Sequence, residues 1–215
     1  MKRLDGIKSF VFAIMIIPTT STIDWKSEKY SSIPKNEVST SDKGLFVKVD
    51  SSAGPLIFPL KSKITIYGFK VTGEFLGLPA LADPKFQGQK GFDDYPLRIG
   101  FVVPGEKKLS GFKKLLAPQW VKRVYEQAPE GTGVDSIRFF NVTQNSSQLR
   151  QTRIHPSTDL IHEDFFAVVS KAGPFDFDIS FKQPIESIAI WISIDGDDTK
   201  SKFDVLISRI ELKLE

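Results

Sequence analysis

The chain has no cysteine among its 215 residues. That removes a disulfide framework, thiolate-bound metal, a thiol nucleophile and a lipidated N-terminal cysteine. Histidine is nearly as scarce, with two in the whole chain, His155 and His162, seven positions apart in IHPSTDLIHED. That spacing, without an H-E-x-x-H pattern, supplies no recognisable zinc set, and with Asp159, Glu163 and Asp164 it reads as a polar loop before a strand. A G-x-S-x-G elbow, a P-loop and a G-x-G-x-x-G turn are missing as well. Net charge is small: +3 overall, of which residues 1–22 hold +2 (Lys2, Arg3 and Lys8 against Asp5), leaving +1 for the rest. Such a balance creates no field for a phosphate backbone, so no nucleic-acid partner is expected. The Lys107-Lys108 and Lys113-Lys114 patch reads as a solvated loop.

Long apolar runs are also lacking. Phe10–Ile17 (FVFAIMII) falls short of the roughly twenty residues a spanning helix needs. It follows Met1-Lys2-Arg3 and precedes Pro18–Thr22, the order of an export signal covering residues 1–22 with a cut near residues 20–22. The alternative is an uncleaved anchor or a first core strand. The expectation is a periplasmic or secreted protein with no stable membrane span after signal removal, and one domain over residues 23–215.

Phenylalanine is what the chain has in excess, eighteen against four Tyr and three Trp. Phe carries no polar end, so this load suits a sandwich interior. Period-two alternation marks Gly44–Val49, Leu56–Leu60, Ile64–Phe75, Leu97–Val103, Phe175–Phe181, Ile188–Ile194 and Phe203–Leu214 as strands with one face on a core. Phe165–Val169 is a further strand. A helix is expected over Pro118–Gln127, with Trp120, Val121, Val124 and Tyr125 on one face, and a long loop over Leu78–Gly91. The pattern defines an all-β fold: an antiparallel β-sandwich of jelly-roll type with one short helix.

Two segments carry a family resemblance. One is Gly91-Phe-Asp93-Asp94-Tyr-Pro-Leu-Arg98-Ile-Gly-Phe-Val. The other is Ile188-Ala-Ile-Trp-Ile-Ser-Ile-Asp195-Gly-Asp197-Asp198-Thr199-Lys-Ser, followed by the last strand. Together with Asp24-Trp25 and the early Gly-Leu-Phe-Val-Lys-Val, they resemble a family of bacterial exported domains of unknown function. Its members are similar to carbohydrate-binding modules with a galactose-binding-like jelly roll. The resemblance implies that fold over residues 23–215 and implies no reaction. The Lys-rich Gly105–Lys114 stretch departs from it.

Several roles compete for these residues. Asp195, Asp197 and Asp198 supply the oxygen ligands a calcium ion prefers. Counted from Asp195, EF-hand positions six and twelve are Lys200 and Leu206, so that loop is excluded. The other reading is a tight Asp-Gly turn bonded to its own backbone, with structural calcium optional. Asp94 and Arg98 share a strand face about 13 Å apart at full extension, too far to pair directly. Arg98 is therefore expected to bridge to Asp195 or Asp197 on a neighbouring strand, or else to line a ligand groove. Trp191 alternates away from Ile190 and Ile192, which sets it on the outer face as a sugar platform or under a covering element. The functional expectation is a non-catalytic domain binding a carbohydrate or cell-envelope glycan through Trp191, Arg98 and Asp94. The alternatives are a glycan hydrolase using Asp93/Asp94 with Asp195/Asp197, and a structural protein–protein module.

Overall fold

A computed structural model describes residues 12–30, 32–109, 115–117, 119–130, 132–156 and 158–215. Lys113, Lys114 and Pro118 lie outside the described residues, as does the side chain of Trp120. The strands are β1 (Ala13–Ile17), β2 (Lys26–Ser27), β3 (Glu37–Ser41), β4 (Gly44–Asp50), β5 (Leu56–Phe75), β6 (Leu97–Gly105), β7 (Gly133–Thr143), β8 (Thr152–Ile154), β9 (Ile161–Val168), β10 (Gly173–Ser193) and β11 (Lys202–Leu214). Helix α1 spans Gln119–Tyr125. The main hydrogen-bonded path runs β3-β4-β11-β5-β10-β6-β7-β9-β8, with β1 on β11 and β2 on β5.

The sandwich is made by two very long strands. β5 has 20 residues and β10 has 21, and they pair antiparallel along most of their lengths. The first half of β10 lies beside the part of β5 that also pairs with β11. Its second half lies between the start of β5 and β6. Between the halves the register slips: Ser180 opposes Gly68 and Ile185 opposes Ile66, so Phe181–Pro184 bulge opposite Tyr67. Pro184 has no N–H to give to a ladder, and a bulge is where a sheet tolerates it. The two halves of the sheet then face one another. Phe69 of β5 touches Phe101 of β6, Phe140 of β7 and Phe166 of β9, none of which adjoins β5 in the sheet. The phenylalanine excess is therefore the sandwich interior.

A second, smaller core covers the outer face of the β6–β7 region. It joins Ile57, Val102, Ile137, Phe139, Ala189 and Trp191 to Val124 of α1 and to Leu160. β7 sits between these two cores and is buried along both faces. That explains why alternation does not reveal it: a strand covered on both sides loses its period-two signal. Leu56–Leu60 and Ile64–Phe75 form one strand, not two, because the exposed residues 61–63 continue β5 between them. The sheet also departs from a purely antiparallel one, because β7 and β9 are parallel. Residues 144–160 make the crossover that a parallel pair requires.

Within the segment read as a leader, Ala13–Ile17 pairs with Ile210–Leu214 of β11, and Ile17 is buried. The Thr19 hydroxyl donates to Ser208 O, and Trp25 Nε1 donates to Pro18 O. Residues 1–11 lie outside the described residues. Among the described residues, no helix is long and apolar enough to cross a membrane.

Candidate functional site

Trp191 is the first correction. It is 0% exposed, so it presents no platform to a sugar. Its ring packs edge-on against Phe139, with centroids 5.9 Å apart. Gly100, paired with both Trp191 and Phe139, leaves room for the two rings. A Cβ at Gly100 would lie 2.7 Å from a Phe139 ring carbon. The tryptophan is core, covered from outside by α1 and the Leu160 segment.

Further along the same face the sheet turns polar. Arg98 precedes Gly100 by two positions and opposes Ser193 and Asn141. Its side chain is 8% exposed, and its Nε lies 3.1 Å from Asp195 Oδ2. Its Nη2 donates to Asp93 O at 2.7 Å, and the guanidinium carbon stands 4.2 Å from the centre of the Tyr95 ring. Glu163 of β9, with a side chain 0% exposed, lies 3.9 Å from Arg98 Nη1. It accepts from Asn141 Nδ2 at 2.7 Å and from Arg153 Nε at 2.6 Å. Arg153 also donates to Gly88 O at 3.0 Å and lies 3.3 Å from Asp93 Oδ1, while His155 Nε2 lies 2.9 Å from Asp93 Oδ2. The bridge from Arg98 to Asp195 forms as expected. Arg98 is closed off and does not line a groove.

Asp94 and Asp198 clasp two loops reciprocally. Asp94 accepts from Asp198 N at 3.2 Å, Thr199 N at 2.7 Å and Thr199 Oγ1 at 2.5 Å. Asp198 accepts from Gly91 N at 3.0 Å and Asp93 N at 3.1 Å. Asp195 accepts from Ser193 Oγ at 2.6 Å. The Asp-rich segment is thus a turn joining β10 to β11, anchored to the loop before β6. Among the described residues, no group of three or more His, Cys, Asp or Glu is arranged to hold a metal ion. Asp195, Asp197 and Asp198 do not converge on a common point: Asp195 faces Arg98 and Asp198 faces backbone amides. Asp94, expected to bind ligand, is buried and spends its oxygens on the turn. A hydrolase pairing of Asp93/Asp94 with Asp195/Asp197 meets the same obstacle, since Asp93, Asp94 and Asp195 serve internal bonds.

The electrostatics follow from burial. Desolvation pushes the Asp195 carboxyl up to about 7; Arg98 and the Ser193 hydroxyl oppose this without cancelling it, and Asp94 and Asp197 add to it. Asp197 is raised to about 6 by burial and by the charges of Asp94 and Asp198. For Asp93 burial also acts upward, but the charge of Arg98, with His155 and Arg153, outweighs it and holds the carboxyl at about 2. Burial lifts the Tyr95 hydroxyl to about 12.

Open clefts lie elsewhere, at the β7-β9-β8 edge. One, of about 480 Å³, is walled by Arg138 and Phe140 of β7, Asp164–Phe166 of β9, the Arg150–Thr152 rim, and the β10 bulge from Ile179 to Gln183, with Ile185. Phe140 and Phe181 stack with centroids 4.6 Å apart at 14°, and Phe166 and Phe181 are half-buried. Arg138 Nη2 donates to Asp164 Oδ2 at 3.0 Å, and these side chains are 37% and 25% exposed. A second cleft of about 610 Å³ shares Arg138, Thr152 and Asp164 and continues to His162, Arg153 and Asp135. Alternation along β8 and β9 connects clasp and cleft. Arg153 and Glu163 point into the polar cluster, while Asp164 sits on the same face as its β7 partner Phe140. The rim is held from behind: Gln87 Oε1 accepts from Thr143 Oγ1 at 2.7 Å, Gln144 N at 2.7 Å and Asn145 N at 3.1 Å, and Gln148 Nε2 donates to Gln87 O at 2.8 Å.

Sequence reasoning noticed Glu163 and Asp164 as loop acids and missed Arg138, Arg150 and Arg153. The legible signal was the Glu163-Asp164-Phe165-Phe166 run, in which neighbouring acids point to opposite faces of one strand.

No family model matches the chain, and no curated protein matches it. The resemblance noted above thus rests on its short motifs alone. Among solved structures, a xylan-binding module CBM15 is similar at 8% identity and a TM-score of 0.38, covering 95% of this chain and 97% of that one. A rhamnosidase from Klebsiella oxytoca with rhamnose bound is similar at 12% identity and a TM-score of 0.31, covering 94% of this chain and 29% of that one. At these values neither likeness extends to a site or a ligand.

Proposed function

We propose that this domain is a non-catalytic carbohydrate-binding module whose ligand lies in the β7–β9–β10 cleft. The observation that carries this reading is the pairing of a half-buried aromatic wall, Phe166 and Phe181, with the half-exposed Arg138–Asp164 pair in one open cleft. Sugar rings present apolar C–H faces and rims of hydroxyls. A phenyl wall takes the first, and an arginine with a carboxylate supplies donors and acceptors for the second. The second cleft continues past Arg138, Thr152 and Asp164, which favours a chain of several sugars over a single terminal one. We further propose a periplasmic or secreted location, supported by the basic and apolar first residues. A cut near residues 20–22 would also remove β1, which mass analysis of the mature protein would reveal.

The test is affinity electrophoresis and calorimetry with soluble polysaccharides and cell-envelope glycans. Binding without turnover is expected. Arg138→Ala should weaken it by roughly ten- to a hundredfold, the range for losing a hydrogen bond to a charged group. Binding unaffected by Arg138→Ala, or turnover of the glycan, would remove this reading.

A further inference from the structure

The glycan cleft is not electrically neutral. Its charged lining consists of Arg138, Arg150 and Lys182 against Asp164. Arg138 is already paired with Asp164. Arg150 and Lys182 are exposed and, among the described residues, form no ion pair. Some exposed lysines sit beside an acid, as Lys48 does with Glu37, Lys63 with Glu186 and Lys202 with Asp50, while others such as Lys61 and Lys171 form no ion pair among the described residues, so it is the shared cleft that sets Arg150 and Lys182 apart. The second cleft differs, because there Asp135, Glu163 and Asp164 outnumber Arg138 and Arg153.

Arg150 is also held in place. Its φ is +65°, a left-handed conformation that glycine or asparagine would take at lower cost. The backbone around it is fixed by its own N–H to Phe165 O at 2.7 Å, by Phe165 N to Gln151 O at 3.1 Å and by Gln151 N to Gln148 O at 2.8 Å. Ser51 and Lys200 share this conformation in turns elsewhere, so at Arg150 it serves to fix where the backbone carries the side chain. Lys182 is carried on the β10 bulge, a device that re-aims side chains next to binding sites. The two cations therefore approach one cleft from opposite walls.

Resting on the glycan-binding reading above, we propose that the ligand is an acidic glycan whose sugar carboxylates are met by Arg150 and Lys182. A planar guanidinium suits a carboxylate by offering two parallel N–H donors, and the lysine adds a point charge on the facing wall.

The experiment compares polygalacturonate, its fully methyl-esterified form and dextran sulfate by calorimetry at 50 mM and 500 mM NaCl. The free acid is expected to bind at least tenfold more tightly than the ester at low salt. That ratio should shrink at high salt as the charges are screened. In the Arg150→Ala/Lys182→Ala double variant the acid-to-ester ratio should fall toward one. Equal binding of acid and ester by the native protein overturns the proposal, as does a ratio that survives the double variant. Dextran sulfate binding as tightly as polygalacturonate overturns the carboxylate assignment. Binding of the ester that Arg138→Ala weakens, with no preference for the acid, leaves the glycan reading standing and removes this inference alone. No binding to any chain removes both.

Discussion

The clasp around Arg98 and the cleft around Arg138 use the same chemistry, an arginine facing a carboxylate, to opposite ends. Arg98 is 8% exposed and hemmed by Asp93, Asp195 and Glu163. Its charge left water on folding, so its partners are a condition of the fold. Arg138 is 37% exposed and, among the described residues, forms an ion pair with Asp164 alone. It keeps part of its hydration and can exchange it for a ligand. What separates structural polarity from binding polarity here is depth and the number of partners, not residue type.

The largest expected effect tests that contrast directly. Arg98→Met leaves the buried Asp195 and Glu163 without their shared cation. It should cost about 3–5 kcal/mol in urea unfolding. Arg138→Ala should cost less than about 1 kcal/mol, as half-exposed pairs do. Equal losses would erase the distinction between the two regions.

Asp94→Ala comes next. It strips acceptors from the Asp198 and Thr199 amides, and about 1–3 kcal/mol should be lost. Hydrogen exchange at those two amides should quicken while glycan affinity changes little. Unchanged exchange would mean that the turn holds itself without the clasp.

The pH dependence is subtler. Asp195, raised from 3.8 to about 7, holds a proton in the folded chain that the unfolded chain has released. Its contribution is complete below about pH 4 and lost as pH rises through about 7. Asp93, lowered to about 2, acts in the other direction: its contribution is complete above about pH 4 and lost as pH falls toward 2. Urea midpoints should therefore decline between pH 4 and 7, and Asp195→Asn should flatten that decline. An identical slope in the variant would show that Asp195 does not control it.

The smallest effect expected is that of calcium. With Asp195 facing Arg98 and Asp198 accepting backbone amides, melting curves in calcium and in chelator should superimpose. A rise in melting temperature with calcium would mean that the turn rearranges to bind it.

Legibility in the sequence followed exposure. Strands with one wet face, such as Phe175–Phe181 and Phe203–Leu214, announced themselves by alternation. β7 did not, because apart from Asp135 and Arg138 it is buried on both faces, and it carries Arg138, Phe140 and Asn141. The Asp195–Asp198 segment was readable as a turn because Asp-Gly chemistry is local. Its partner Asp94 lies more than a hundred residues away in sequence, and no local pattern encodes that distance. Trp191 shows the limit most plainly. Its position on the outer face follows from period two, but whether that face meets water depends on α1 and Leu160, brought in from elsewhere in the chain.

By itself, the sequence determined the class of fold, the phenylalanine core and the Asp-Gly turn. Each of these follows from residue type and short-range periodicity. For Arg98 it offered Asp195 or Asp197 as partner, and the structure selects Asp195. The tertiary structure alone decided that Trp191 is core, that Asp94 is a clasp, and that the open chemistry lies at Arg138, Asp164 and the β10 bulge. Burial and partnership are set by what packs against a residue, and in this sheet those neighbours come from distant parts of the chain.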